Sequence, residues 1–166
     1  MRDIAVIGID PGITGAATLL TNGEAIVHDW ESLPLAFEVL CEWKVFFDVR
    51  LAMIEDVHAI SYVKTDMKTG KTKRFSQKGT SNFKFGENAG MWKGLLTGLA
   101  LPYECVTPQA WQSGVIPKKK SKSDKPSFKV AKELYPNAPL EYVSKHHNRA
   151  DSIMIARYAA RKLNLL

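Results

Sequence analysis

Residues 4–15 read IAVIGIDPGITG: a nearly unbroken apolar run, one carboxylate at Asp10, then Pro11, Gly12 and Gly15. An apolar residue at almost every position suits a strand buried on both faces of a sheet. Pro and Gly directly after it mark a turn. Asp10 therefore sits where a central strand emerges, a rigid place for a functional carboxylate. Asp also caps such turns with its own side chain, and this stretch alone leaves both roles open.

Working outward, Ala16 to Leu20 and Ala25 to Trp30 read as two further strands. Asn22-Gly23 between them is a hairpin signal. Pro34 stands near the start of a helix, with Leu35, Val39, Leu40, Trp43, Phe46 and Phe47 at helical spacing. Leu51 to Glu55, LAMIE, is a fourth strand, and it too runs apolar into a carboxylate. A strand that follows a crossover helix lies parallel to an earlier strand. Pairing it with the first strand brings Asp10 and Glu55 to one sheet edge.

Residues 58–82 are polar, basic and rich in Gly, Ser and Thr, with Lys-Thr-Gly-Lys resembling a hairpin tip. They predict a long loop or a protruding ribbon, and a loop of this length is uncommon unless functional. A helix over Phe83 to Leu99 follows. Gly86, Gly90, Gly94 and Gly98 recur along it every four residues, so they share one face. Each helix-interior Gly costs about 1 kcal/mol relative to Ala. Close approach of another backbone offsets that, either in a self-complementary homodimer or against the chain's own sheet. Tyr103 to Val106 is a fifth strand, Thr107-Pro108 opens a helix around Trp111, Ser127 to Tyr135 is helical, and the apolar face of Ala150, Ile153, Met154, Ala156 and Ala160 marks a last helix. The order predicts an α/β fold: a single mixed five-stranded sheet with helices on both faces. One domain spans 1–166, with a basic insertion at about 62–80 and a basic loop at about 117–126.

The 166 residues suffice for one core, and 45% are hydrophobic, which excludes a disordered chain. No apolar run approaches the ~20 residues of a membrane span. The N-terminus lacks the order of a signal peptide. Cys41 and Cys105 have neither metal spacing nor a disulfide framework, so a reducing, cytoplasmic setting is expected. The net charge of +6 is uneven: residues 64–78 carry +5 and residues 118–132 carry +6, leaving −5 for the rest. Concentrated positive charge of this kind points to a polyanion partner. Lys73, Arg74, Lys118, Lys119, Lys120, Lys122 and Lys125 are the candidate phosphate contacts.

A third carboxylate, Asp151, lies near the start of the last helix. Asn148 and His147 precede it by three and four residues, so all three can share a helical face. Three carboxylates drawn together repel. At an effective dielectric near 20, a pair at about 4 Å costs about 4 kcal/mol, so the group requires shared protons or a divalent cation. Oxygen ligands suit Mg²⁺ or Mn²⁺, and paired carboxylate-held ions catalyse phosphoryl transfer. With two basic segments, the expected chemistry is phosphodiester hydrolysis.

Taken in order, IGIDPGITGAA, IEDVHA, SNFKFGENAG, PYECVTPQAWQ and KHHNRADSIMIARY resemble the RuvC-like Holliday junction resolvases of the RNase H-like superfamily, above all the phage-type members. The resemblance implies a homodimeric, metal-dependent endonuclease of recombination and repair that nicks branched DNA symmetrically. It places the family's acidic positions on Asp10, Glu55 and Asp151, which would hold two Mg²⁺ ions. It places an acid or histidine just upstream of the last acid: His147, with His146 and Asn148 as the other candidates. Phage-type members often carry Asp where this chain has His146. The helix over Phe83 to Leu99 would lie near the partner subunit, and Phe83, Phe85 and Trp92 on it are candidates for insertion into an open junction or for core. Competing readings are a catalytically silent branched-DNA binder, a nuclease for RNA–DNA hybrids, and an actin-like ATPase. The last needs a second lobe and a second phosphate loop that this chain lacks.

Overall fold

The structure, a computed structural model, describes residues 1–56, 61–65, 69–70, 72–76, 79–117 and 125–166. In chain order its elements are β1 (Ile4–Asp10), β2 (Ala16–Thr21), β3 (Glu24–Asp29), α1 (Leu33–Phe46), β4 (Asp48–Glu55), β5 (Ser61–Thr65), β6 (Thr72–Ser76), α2 (Gly79–Gly98), β7 (Tyr103–Val106), α3 (Pro108–Gln112), α4 (Pro126–Leu134) and α5 (Val143–Lys162). Five strands form one mixed sheet in the order β3-β2-β1-β4-β7. The β1–β2 and β2–β3 pairs are antiparallel and the β1–β4 and β4–β7 pairs parallel. The topology is the one expected from the chain order. Among the described residues, no helix is long and apolar enough to cross a membrane.

The first hairpin closes as its sequence requires: Asn22 (φ 48°) and Gly23 (φ 78°) both adopt the left-handed conformation of a two-residue type I′ turn. Ser32 caps α1 by accepting from Leu35 N–H at 3.4 Å.

β1 is apolar throughout because each face meets a separate core. Val6 belongs to a cluster with Leu51, Met53, Val106, Trp111, Phe128 and the inner face of α5. Ala5, Ile7 and Ile9 belong to the opposite cluster, with Ala36, Leu40 and Trp43 of α1 and Trp92 and Leu96 of α2. Gly8 shares the α5 face, two residues on from Val6. A Cβ built there would lie within 3.0 Å of Ala156 N, Ser152 O and Ala156 Cα. Only Gly lets α5 descend this far. Beside it Thr18, the register partner of Gly8, shares a buried 2.7 Å hydrogen bond with Ser152.

The polar segment after β4 contains a ribbon. β5 and β6 pair with each other in antiparallel register, and Gly70 (φ 66°) stands between them. α2 begins at Gly79, four residues before the expected start. Its inner face is Asn88, Trp92 and Leu96, all buried. Gly86, Gly90, Gly94 and Gly98 are exposed, and a Cβ at any of them would meet nothing within 4 Å. The expected alternative of close packing on the chain's own sheet is therefore wrong. Trp92, 1% exposed, is core and is unavailable for insertion into DNA, whereas Phe83 is 72% exposed.

Candidate active site

Parallel pairing of Ile9 with Ile54 sets Asp10 and Glu55 side by side at the carboxyl ends of neighbouring strands. Asp10 is only 7% exposed. Its Oδ1 accepts a hydrogen bond from Gly12 N–H at 2.9 Å. The Gly12 carbonyl in turn accepts from Gly15 N–H at 2.9 Å and from Asn88 Nδ2 at 3.2 Å. The turn is thus held from inside and from α2. Asp10 does cap its turn, as the simpler reading of the sequence had it, and it is also electrostatically strained. Burial, the nearby charge of Glu55 and a weaker contribution from Asp151 raise its pKa from 3.8 to about 7, against the opposing pull of the Gly12 N–H.

Glu55 is half-buried. Burial raises its pKa and the Asp151 charge adds to the rise, while a hydrogen bond from Trp111 works against both. That bond runs from the indole Nε1–H to Glu55 Oε1 at 3.0 Å. β7 delivers it: Glu55 lies opposite Val106 in register, Thr107 then caps α3 by accepting from Ala110 N–H at 3.3 Å, and Trp111 follows within that short helix.

Asp151 comes from α5, whose start is anchored on both sides. Asn148 Nδ2 donates to Thr14, to the backbone carbonyl and, at 2.7 Å, to the hydroxyl. Arg149 Nε donates to Asp29 Oδ1 at 2.7 Å and its Nη1 to the Pro139 carbonyl at 2.9 Å. The Arg149 hydrogen bond holds the Asp29 carboxyl below its ordinary pKa.

These contacts separate the three candidates for the fourth position. His146 is the one residue with non-helical backbone inside α5 (φ −109°, ψ 15°). Its Nδ1 accepts from the backbone N–H groups of Glu141 and Tyr142 at 3.1 and 3.3 Å, which ties it back to the chain just ahead of the helix. The side-chain amide nitrogen of Asn148 is committed to Thr14. His147 Nδ1 is buried without a hydrogen-bond partner.

Among the described residues, no three His, Cys, Asp or Glu side chains stand together as a ready-made ion-holding group. Asp10, Glu55 and Asp151 are coupled through their charges instead. The donor set still fits a hard divalent cation, because it is made of oxygens and its mutual repulsion is what a cation relieves. Of the candidate phosphate contacts, Lys73 and Arg74 stand on β6 and Lys125 directly precedes α4. Lys118, Lys119, Lys120 and Lys122 lie outside the described residues.

Trp111 and Asn88 are the site residues that sequence reasoning missed. Asn88 carried a signal, being the polar member of the otherwise apolar stripe Asn88, Trp92, Leu96. Trp111 carried none, since a buried Trp reads as core.

No protein-family model and no curated protein matches the sequence. Solved structures do match. One is T. thermophilus RuvC in complex with a Holliday junction substrate, with a TM-score of 0.63 at 12% identity over 98% of this chain and 96% of that one. Another is Thermus thermophilus RuvC, with a TM-score of 0.62 at 14% identity over 97% and 96%. The chain has the fold of the RuvC Holliday junction resolvases, an RNase H-like mixed sheet of five strands with helices on both faces.

Proposed function

We propose that this protein is a divalent-metal-dependent endonuclease that resolves four-way DNA junctions by paired, symmetric nicks. The observation that carries the reading is the electrostatic convergence of Asp10, Glu55 and Asp151, on a fold whose solved counterpart is bound to a Holliday junction. Asp10, Glu55 and Asp151 would hold Mg²⁺ or Mn²⁺, with His147 beside them, and the cation would supply the Lewis acidity that activates water and stabilises the departing 3′ oxygen. The chain's own residues do the rest. Gly12 N–H orients the Asp10 carboxylate, and His147 orients or exchanges a proton with water through its unpartnered nitrogen. Lys73 and Arg74 on the ribbon, with Lys118, Lys119, Lys120, Lys122 and Lys125, grip phosphates.

The deciding experiment presents labelled four-way junction, plain duplex and RNA–DNA hybrid with Mg²⁺, Mn²⁺ or EDTA. Paired nicks in the junction alone are expected, and none in EDTA. No cleavage of any substrate with either ion overturns the nuclease reading in favour of a silent branched-DNA binder. Equal cutting of plain duplex overturns junction selectivity. Junction binding falls steeply with salt, as phosphate contacts do.

Two active sites on opposing strands require a dimer, and the exposed glycine face of α2 is our candidate for its interface. Within one subunit a Cβ at Gly90 or Gly94 would meet nothing within 4 Å. Replacement by Leu therefore leaves the subunit folded, favours its helix by up to about 1 kcal/mol and halves the mass seen by light scattering. A wild-type protein that is monomeric with and without junction rules this interface out.

A further inference from the structure

We propose that Trp111 is the positioning residue of Glu55: its indole N–H fixes one carboxylate oxygen and leaves the other for the divalent cation. The inference rests on the nuclease reading above.

Packing alone does not account for an indole here. Trp111 is 2% exposed within the cluster of Val106, Phe128 and Met154, an apolar setting that asks for bulk but not for a hydrogen-bond donor. What Trp adds is one donor, and that donor goes to a carboxylate at 3.0 Å. The pairing is not automatic. Trp92, equally buried in the opposite core, leaves its indole nitrogen without a partner. The fold thus tolerates an unpaired indole N–H in one core and in the other aims one at a strand-end glutamate.

Glu55 needs this more than Asp10 does. Asp10 has a short side chain and a backbone donor two residues away, at Gly12 N–H. Glu has one more rotatable bond and loses more freedom when fixed. The donor for Glu55 comes instead from α3, which the β4–β7 register and the Thr107 cap hold in place. Each of the two strand-end carboxylates therefore has one oxygen engaged from within the protein. Groups that orient metal ligands in this way typically contribute 10- to 100-fold to metal affinity or activity.

Trp111→Phe keeps an aromatic ring, though a smaller one, and removes the donor. By calorimetric Mn²⁺ titration, its affinity is expected to fall about 10- to 100-fold. In a Glu55→Gln background the same change is expected to cost nothing further. A second readout needs no substitution at all. In the ¹⁵N-labelled wild type, the Trp111 indole N–H resonance is expected to shift as Mg²⁺ is added, with the indole of Trp92 as an internal reference that does not move. That titration decides the matter even where Trp111→Phe folds poorly. Wild-type affinity in a folded Trp111→Phe variant, or an indole resonance unmoved at saturating Mg²⁺, overturns the positioning role while leaving the nuclease reading intact. A wild type that binds neither ion overturns both.

Discussion

Asp10→Asn is expected to abolish junction cleavage, a loss of about 10³-fold or more, while raising the melting temperature of the metal-free protein at pH 8. The rate effect follows from the proposed role of Asp10 as a charged cation ligand, worth several kcal/mol in the transition state. The stability effect follows from the Asp10 pKa, raised from 3.8 to about 7 by burial and by Glu55. Folding favours the protonated carboxyl. Below pH ~4 that form is present in both folded and unfolded chains, so nothing is lost. As pH rises from ~4 to ~7 the unfolded chain ionises freely and the folded one does not, and stability declines. Above pH ~7 the full penalty stands, about 4 kcal/mol at about 1.4 kcal/mol per pKa unit. Asn carries no charge and still accepts the Gly12 N–H. Its advantage is therefore largest at pH 8 and vanishes near pH 4. Thermal melts in EDTA across that range measure it. Mg²⁺ should then stabilise the wild type and leave Asp10→Asn unmoved. Equal melting temperatures of the two proteins in EDTA at pH 8 would mean that Asp10 is not strained by its surroundings.

Gly8→Ala is expected to be among the most damaging single methyl groups in the chain. Overpacking a core typically costs 1–3 kcal/mol, because side chains and backbone shift to make room. Here the added carbon meets the backbone of Ser152 and Ala156 rather than the far end of a side chain. Relief requires α5 to lift from the sheet, withdrawing its buried face and Asp151 together. A loss of roughly 4 kcal/mol or more is expected, beyond the usual range for overpacking, read as a lowered urea midpoint or as failure to accumulate folded protein. A wild-type midpoint would contradict the close α5–β1 contact.

Much of this architecture was legible because strong local signals agreed with the global fold. The unbroken apolar run of β1, the Asn-Gly turn, and the crossover from β2–β3 through α1 to β4 prescribe a central parallel pair ending in Asp10 and Glu55. What stayed hidden was tertiary. Because β1 is apolar on both faces, its period of two was invisible, and so was the special position of Gly8. The four glycines of α2 have a legible period, but only the packing of Asn88, Trp92 and Leu96 shows which way they face. Helical spacing to Asp151 favours His147 over its neighbour His146, without saying what His146 does instead. The backbone break at His146, where Nδ1 ties back to the chain just ahead of the helix, supplies that. The ribbon of β5 and β6 was legible only as one of two alternatives beside a long loop, since strand propensity in a polar segment is weak without a core face to reveal it.

The close seat of α5 on β1 works as a gauge as well as a contact. Ser152, whose hydroxyl meets Thr18 and whose carbonyl sits over Gly8, directly follows Asp151. A slip of α5 by one residue would carry Asp151 about 1.5 Å along the axis and swing it by about 100°. The glycine notch and the hydroxyl pair admit one setting only. The carboxylate farthest from the others in sequence is therefore indexed by a backbone-to-backbone fit, so its starting point on the helix is set to backbone tolerance.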